Sequence, residues 1–128
     1  MSTPSNPTLI ITRQTNADLS SSEWLLVKPN GDDDLDLAGA GDLAIGALTN
    51  DVADGSGTQT VYVPVQVGGM IKVACGGTCT AGALAASDSA GKAVNAGDGD
   101  YAFGVALETH ASGDVGSFLW APSYLETT

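Results

Sequence analysis

The sequence predicts a small all-β fold, a Gly/Ala-rich β-barrel or sandwich with an internal pseudo-repeat and an extended N-terminal arm. Residues 60–67 alternate so that four valines share one face of a strand. Gly68-Gly69 then turns the chain into a second alternating run at residues 70–75, which is a hairpin pattern. No run of residues follows the 3.6-residue period of a long helix, and the 17 glycines would weaken any helix.

The composition predicts one domain with a thin core. Apolar residues make up 43% of the 128 residues, but aromatic residues make up only 5%, and much of the apolar content is alanine. Because each small side chain removes little area from water, such a core gives modest stability by itself. A domain of this kind often gains stability from a partner or from self-assembly.

The sequence pattern divides the chain into an N-terminal arm at residues 1–30 and a β-barrel or sandwich domain at residues 31–128. Residues 1–7 consist mainly of Ser, Thr, Asn and Pro, which predicts disorder. Two β-prone runs follow at residues 8–13 and 23–28, joined by a polar linker. We therefore expect the arm to carry one or two adhesive strands.

An internal repeat with an offset of 58 residues runs through the domain. Residues 38–46 match residues 96–104 without gaps, and nine of the 27 positions in residues 38–64 are identical to their counterparts. Both copies contain the turn sequence Gly-x-Gly-Asp, and the same offset pairs Pro64 with Pro122. Each copy is typical of a turn, a strand, a link and a second strand, which predicts a pseudo-symmetric barrel or sandwich.

The charge argues against two classes of partner. The chain has 15 acidic and 4 basic residues, a net charge of −11. Such a surface repels phosphate backbones and anionic lipids, so we expect neither nucleic acid nor membrane as a partner. No stretch approaches the roughly 18 apolar residues that span a bilayer, and the N-terminus lacks the apolar run of a signal peptide. We expect a soluble protein that is made in the cytoplasm.

The search for catalytic chemistry predicts that the protein is not an enzyme. His110 is the only histidine, and Ser112 and Asp114 lie close to it in sequence. However, Ala-Ser-Gly-Asp after a strand is ordinary turn composition. Neither a nucleophile elbow nor a phosphate-binding Gly-Lys-Ser/Thr loop occurs.

Neither the cysteine pair nor the aspartate cluster predicts a cofactor or metal site. Cys75 and Cys79, with a single histidine, cannot close a four-ligand zinc site. They form either a short-loop disulfide or, as cytosolic folding favours, two reduced thiols in a turn. The cluster Asp32, Asp33, Asp34 and Asp36 lacks the spacing of an EF-hand, and a solvated acidic turn is favoured over a calcium site.

The few large side chains are expected mostly in the core. We predict core positions for Tyr62, Tyr101, Phe103 and Trp120. Trp24 lies in the arm region outside the repeat, so its place is left open between the core and an interface, where aromatic residues often dominate the binding energy.

From about residue 30 to residue 122 the chain resembles a known family. The residues that carry the likeness are the Val-x-Val-x-Val hairpin, Thr-Ala-Gly-Ala-Leu ending at Leu84, Ser-Ala-Gly-Lys-Ala-Val ending at Val94, and the closing element from Gly104 to Asp114. They resemble the small Gly/Ala-rich capsid decoration proteins of tailed bacteriophages, also called cement or head-stabilising proteins.

The resemblance implies a structural virion protein that binds the outer surface of a phage capsid and stabilises the shell against internal DNA pressure. It implies the major capsid protein as partner, a homotrimer at threefold or quasi-threefold positions, and a location on the outer capsid surface of the virion. It also implies an arm that becomes ordered on the capsid. The arm residues expected to contact the capsid are Leu9, Ile10, Ile11, Arg13, Trp24 and Leu26.

Two other functions are kept as alternatives. One is another virion structural component, in a tail or a fibre. The other is a β module that binds carbohydrate or a host surface, although the cluster of exposed aromatic residues usual for such modules is not evident in the sequence.

Overall fold

The computed structural model contains two β-sheets and confirms the all-β prediction. It describes residues 9–15, 19–20, 22–31, 34–48 and 61–125. These residues form ten strands and no helix. Each sheet has five antiparallel strands in an open order, so the sheets form a sandwich-like pair and not a closed barrel.

The chain forms the two sheets one after the other. The first contains β1 (Ile10–Thr15), β2 (Leu26–Pro29), β3 (Leu35–Leu37), β4 (Gly46–Leu48) and β5 (Val61–Gln66), in the spatial order β1-β5-β4-β2-β3. The second contains β6 (Met70–Ala74), β7 (Leu84–Ser87), β8 (Ala93–Asn95), β9 (Tyr101–Ala106) and β10 (Val115–Tyr124), in the order β6-β10-β9-β7-β8.

The second sheet repeats the first strand for strand. In spatial order, β6 to β10 occupy the places of β1 to β5. The pairing register repeats too, because Val27 lies opposite Leu37, and Ala85 lies opposite Asn95, with each number higher by 58. The predicted pseudo-repeat is therefore confirmed, and it extends to β2 and β3, which the sequence comparison did not include.

The Gly-x-Gly-Asp turns have the same hydrogen bonds in both halves. The Asp42 carboxylate accepts from the Gly39 N–H at 2.9 Å, and the Asp100 carboxylate accepts from the Gly97 N–H at 2.8 Å. Gly41, the third residue of the first turn, has φ of +70°, a conformation that glycine adopts without steric cost. The repeated residues are thus those that the backbone of the turn requires.

The offset changes at the last strand of each half. Gln66 of β5 lies opposite Ala47, and Leu119 of β10 lies opposite Val105. Because Ala47 and Val105 are equivalent, Gln66 and Leu119 are equivalent too, with an offset of 53. The predicted equivalence of Pro64 with Pro122 is therefore wrong. The connection from β4 to β5, residues 49–60, is longer than the connection from β9 to β10, and an ungapped comparison cannot follow this difference.

Each half has its own apolar core. The first core consists of Leu19, Val27, Leu35, Leu48, Val63 and Val65. The second core contains Ile71, Val73, Cys75, Cys79, Ala85, Ala93, Phe103, Ala106 and Phe118. The rings of Phe103 and Phe118 meet edge to face with centroids 5.1 Å apart, which is a favourable aromatic geometry.

The first half packs against the second core along a surface that we call the seam. The side chains that cross it are Leu26, Ala38, Ala44 and Ala47. Four backbone hydrogen bonds hold it: Leu26 N–H to Gly91 O at 2.7 Å, Ala74 N–H to Trp24 O at 2.9 Å, Gly41 N–H to Ser87 O at 3.0 Å, and Tyr101 N–H to Gly41 O at 3.1 Å. Alanine is suited to this place because its short side chain lets the two backbones approach each other.

Two strands of the predicted arm belong to the first sheet. β1 pairs with β5 along all six of its residues, and β2 lies between β3 and β4. The division of the chain at residue 30 stays a prediction. The predicted disorder of residues 1–7 lies outside the described residues.

Two equivalent glycines allow neighbouring strands to lie close together. A Cβ on Gly46 would overlap the carbonyl oxygen of Gln66, and a Cβ on Gly104 would overlap the carbonyl oxygen of Leu119. In both cases the obstacle is backbone, which cannot move without disturbing the sheet.

We predict that Gly46→Ala and Gly104→Ala each lower the free energy of unfolding by about 3 kcal/mol, the upper range for overpacking. Gly31→Ala is the control, because its Cβ would meet nothing within 4 Å. Urea denaturation followed by circular dichroism measures the change. Equal midpoints for the three variants would contradict the close-approach argument.

Candidate interaction surfaces

The described part of the chain contains neither a pocket nor a group of three metal-ligating side chains. Within the same residues no helix is long and apolar enough to cross a membrane. The remaining candidates are the groups named from the sequence and the exposed apolar surfaces.

His110 and its neighbours bond to the backbone. The Nε2 atom of His110 accepts from the Ser117 N–H at 3.4 Å, and the ring lies against Gly116, which leaves it room. Ser112 Oγ donates to a backbone carbonyl at 3.2 Å, and the Asp114 carboxylate accepts from a backbone N–H at 3.1 Å. Each of the three side chains thus stabilises the turn before β10.

The described part of the aspartate cluster also serves local structure. Residues 32–33 lie outside the described residues. The carboxylate of Asp34 accepts from Gln14 Nε2 at 2.9 Å, and that of Asp36 accepts from Asn30 Nδ2 at 3.1 Å. The first bond ties the β2–β3 turn to β1, and the second joins the two ends of that turn.

The two cysteines are free thiols in the second core. Cys75 is 1% exposed and Cys79 is fully buried. Burial raises the pKa of Cys75, and it raises the pKa of Cys79 to about 12, because the thiolate would lose its water. Thiols of this kind are chemically inert at neutral pH.

The predicted capsid-contacting residues Leu9, Ile10, Ile11 and Arg13 lie in or just before β1, an edge strand of the first sheet. Leu9 is 59% exposed and Ile10 is 52% exposed, and Arg13 is exposed as well. Ile11 points to the opposite face and is partly buried beside the first core. β1 is an edge strand in the sheet order, but its C-terminal residues Gln14 and Thr15 bond Asp34 and Leu35, so the accessible part of this strand is its start.

The other two predicted contact residues lie at the seam. Leu26 has no exposed surface, so it could touch a capsid only if β2 left its sheet. Trp24 is partly buried and has φ of +70°, a strained conformation for a residue other than glycine. Its carbonyl accepts from Ala74 N–H across the seam, which fixes this backbone in place.

The predicted core positions of the large side chains are partly wrong. Phe103 is buried, and Trp120 is partly buried against the second core. Tyr62, however, is 68% exposed and Tyr101 is 43% exposed. Tyr101 instead contacts Tyr124, the residue opposite it in the β9–β10 pairing, with ring centroids 4.9 Å apart.

An exposed apolar row that sequence analysis missed crosses the outward face of the second sheet. Leu84, Val105, Leu119 and Met70 lie opposite one another on four adjacent strands, and we call them the outer row. Leu119 is 48% exposed and Met70 is 39% exposed. Strand pairing was needed to find the row, because its members are distant in sequence.

The first core has a partly exposed rim. The rim consists of Ile11, Leu37, Ile45, Val61 and Val67, all partly buried against the first core. The second core has only Trp120 in this role. Every residue of either core is at most 4% exposed, so the cores differ in their rims and not in their own burial, in the described part of the chain.

We predict that thiol reagents modify Cys75 and Cys79 on the order of 100-fold more slowly in the folded chain than in urea. Above pH 9.0, the ordinary thiol pKa, Cys79 stays protonated in the folded chain but loses its proton on unfolding. The free energy of unfolding therefore falls as the pH rises from 9.0 to about 12. Cys79→Ala should show a shallower loss over this range in denaturation midpoints. Identical pH profiles would contradict the burial argument.

The comparisons with known proteins establish a shared fold. No protein-family model matches the sequence, and none of the curated proteins matches it. A solved structure that the chain resembles is the N base of the head fibre protein gp8.5 of bacteriophage phi29, with a TM-score of 0.71 and 18% sequence identity. The match covers 94% of this chain and 100% of that chain, so the fold is common to both along nearly their whole length.

Proposed function

We propose that this protein is a structural virion protein that binds the outer surface of a phage capsid and stabilises the shell against internal DNA pressure. The observation that carries the proposal is the fold shared over 94% of the chain with the base of a phage head fibre. The resemblance of residues 30–122 to phage decoration proteins, noted from the sequence, points in the same direction.

The edge of β1 supplies the surface for contact with the capsid. Leu9 and Ile10 are both more than half exposed at the start of this edge strand. An exposed edge can accept a strand of a partner through main-chain hydrogen bonds, and apolar side chains beside it add specificity. The partner on this proposal is the major capsid protein.

The charge is compatible with this location. A net charge of −11 disfavours contact with the packaged DNA, whereas the outside of the shell requires none. Many copies of a weakly bound protein on a lattice become strongly held if each copy contacts more than one capsid subunit. A homotrimer at threefold or quasi-threefold positions would provide such contacts.

We predict that the double variant Leu9→Asp/Ile10→Asp loses affinity for the capsids of its parent phage by about 30-fold or more, as expected when a buried apolar anchor is replaced by charge. Co-sedimentation of purified protein with emptied heads measures binding. Ser89→Asp/Ala90→Asp is the control, because it adds the same charge at an exposed turn of the other half.

Equal binding by both double variants would remove β1 as the contact. Binding of the unaltered protein to purified tails and not to heads would favour a tail component instead. For the stabilising role, DNA-filled heads that lack the protein should release DNA at a lower temperature than heads that carry it.

A further inference from the structure

The apolar surface on the outward face of the second sheet is wider than the outer row. The N–H of Leu107, two residues beyond Val105, bonds to the carbonyl of Ser117 at 3.0 Å. Leu107 is 45% exposed, and Val115 at the start of β10 is 43% exposed. Because side chains two residues apart on a strand share a face, both extend the surface of the outer row. A contiguous apolar area on a solvated sheet face marks a contact surface.

The equivalent row of the first sheet shows what such a row does in this fold. Leu26, Ala47 and Gln66 lie opposite one another in the first sheet. Leu26 and Ala47 are fully buried against the second core, and Gln66 is 7% exposed. The outer row holds the equivalent places in the second sheet, where nothing in the described part of the chain covers it. It is therefore a packing surface that is open to a partner.

The outer row adjoins the exposed start of β1. Ile10 lies opposite Gln66, whose amide donates to the carbonyls of Gly68 and Met70, both at 2.9 Å. A Cβ on Gly68 would lie 3.7 Å from the Cβ of Leu9. Met70 is the member of the outer row on the edge strand β6, so the two apolar surfaces meet at the β5–β6 turn.

The joint surface spans both halves of the chain. Leu9 and Ile10 belong to the first half and are 59% and 52% exposed. Met70 and Leu119 belong to the second half and are 39% and 48% exposed. A partner that covers the whole surface contacts the two halves at once.

One cation lies on this apolar surface. Lys72 is exposed beside the outer row, opposite Ser117, and forms no ion pair within the described part of the chain. The chain has only four basic residues, and Lys28 is already paired with Asp42. Because an unpaired charge is costly to remove from water, a partner that buries Lys72 must bring a carboxylate to it.

We propose that the outer row is a second part of the capsid contact, covered together with the start of β1 by one subunit of the major capsid protein. The inference rests on the proposed capsid binding. It adds the second half of the chain to the contact, and it gives the chemistry of the partner, which is an apolar surface with a carboxylate opposite Lys72. A subunit bound in this way ties the two halves together from outside the seam.

Two matched leucine variants test the outer row. Leu119→Asp places a charge in the row, and Leu43→Asp places the same charge at a leucine that is 53% exposed and lies outside the joint surface. Neither leucine belongs to a core, and circular dichroism verifies the fold of both variants. In co-sedimentation with emptied heads of the parent phage, Leu119→Asp should bind about 30-fold more weakly, and Leu43→Asp should bind as the unaltered protein does.

Two matched lysine variants test the carboxylate of the partner. Lys72→Glu and Lys92→Glu change the net charge equally, and both lysines are exposed, but Lys92 lies in the turn before β8. In the same assay Lys72→Glu should lower the affinity by about 10-fold or more, because two carboxylates would face each other in the contact. Lys92→Glu should change it by less than about 2-fold.

The outcomes separate this inference from the proposed function. An unaltered protein that does not bind heads would overturn both. If the unaltered protein binds, normal binding by either Leu119→Asp or Leu9→Asp/Ile10→Asp while the other loses affinity would overturn the joint surface. Equal affinities of Lys72→Glu and Lys92→Glu would overturn the pairing with a carboxylate. Oligomers of the free protein that Leu119→Asp converts to 12.8 kDa monomers would assign the outer row to a second copy and overturn the proposal.

Discussion

The burial of Leu26 and Ala47 against the second core is the contact on which the rest of the structure depends. Both side chains belong to the first sheet, yet they complete the core of the other half. A core with few aromatic residues removes little area from water, and each half is small for an independent domain. Sharing side chains across the seam lets two thin cores support one fold.

Close backbone approach makes the seam and the sheets possible. Gly46 and Gly104 stand at the same place in the two halves, and in each a Cβ would overlap the carbonyl of the neighbouring strand. Small residues contribute little apolar area, but they permit this spacing. The aspartates of the repeated turns bond backbone amides, and the same composition therefore accounts for both the acidity and the turns.

The sequence was sufficient for the all-β class and for the match of residues 38–46 with residues 96–104, because turn residues and alternation are local signals. It was insufficient for features that depend on which distant strands pair with one another. The repeat offset changes at the last strand of each half because the β4–β5 connection is longer than the β9–β10 connection, and an ungapped comparison cannot include such a difference. Tyr62 and Tyr101 are exposed because strand pairing, not residue type, selects the face that is buried. The outer row is likewise visible only once four distant strands are placed side by side.

The central claim is that the seam joins two thin cores into one fold, and hydrogen exchange in the variant Leu26→Ala tests it most directly. Leu26 belongs to the first sheet but is fully buried in the second core, so its truncation should lower the free energy of unfolding by about 3 kcal/mol. The account predicts that amide protection falls by the same amount in β5 of the first sheet and in β10 of the second sheet. A loss of protection confined to one of the two sheets would contradict it.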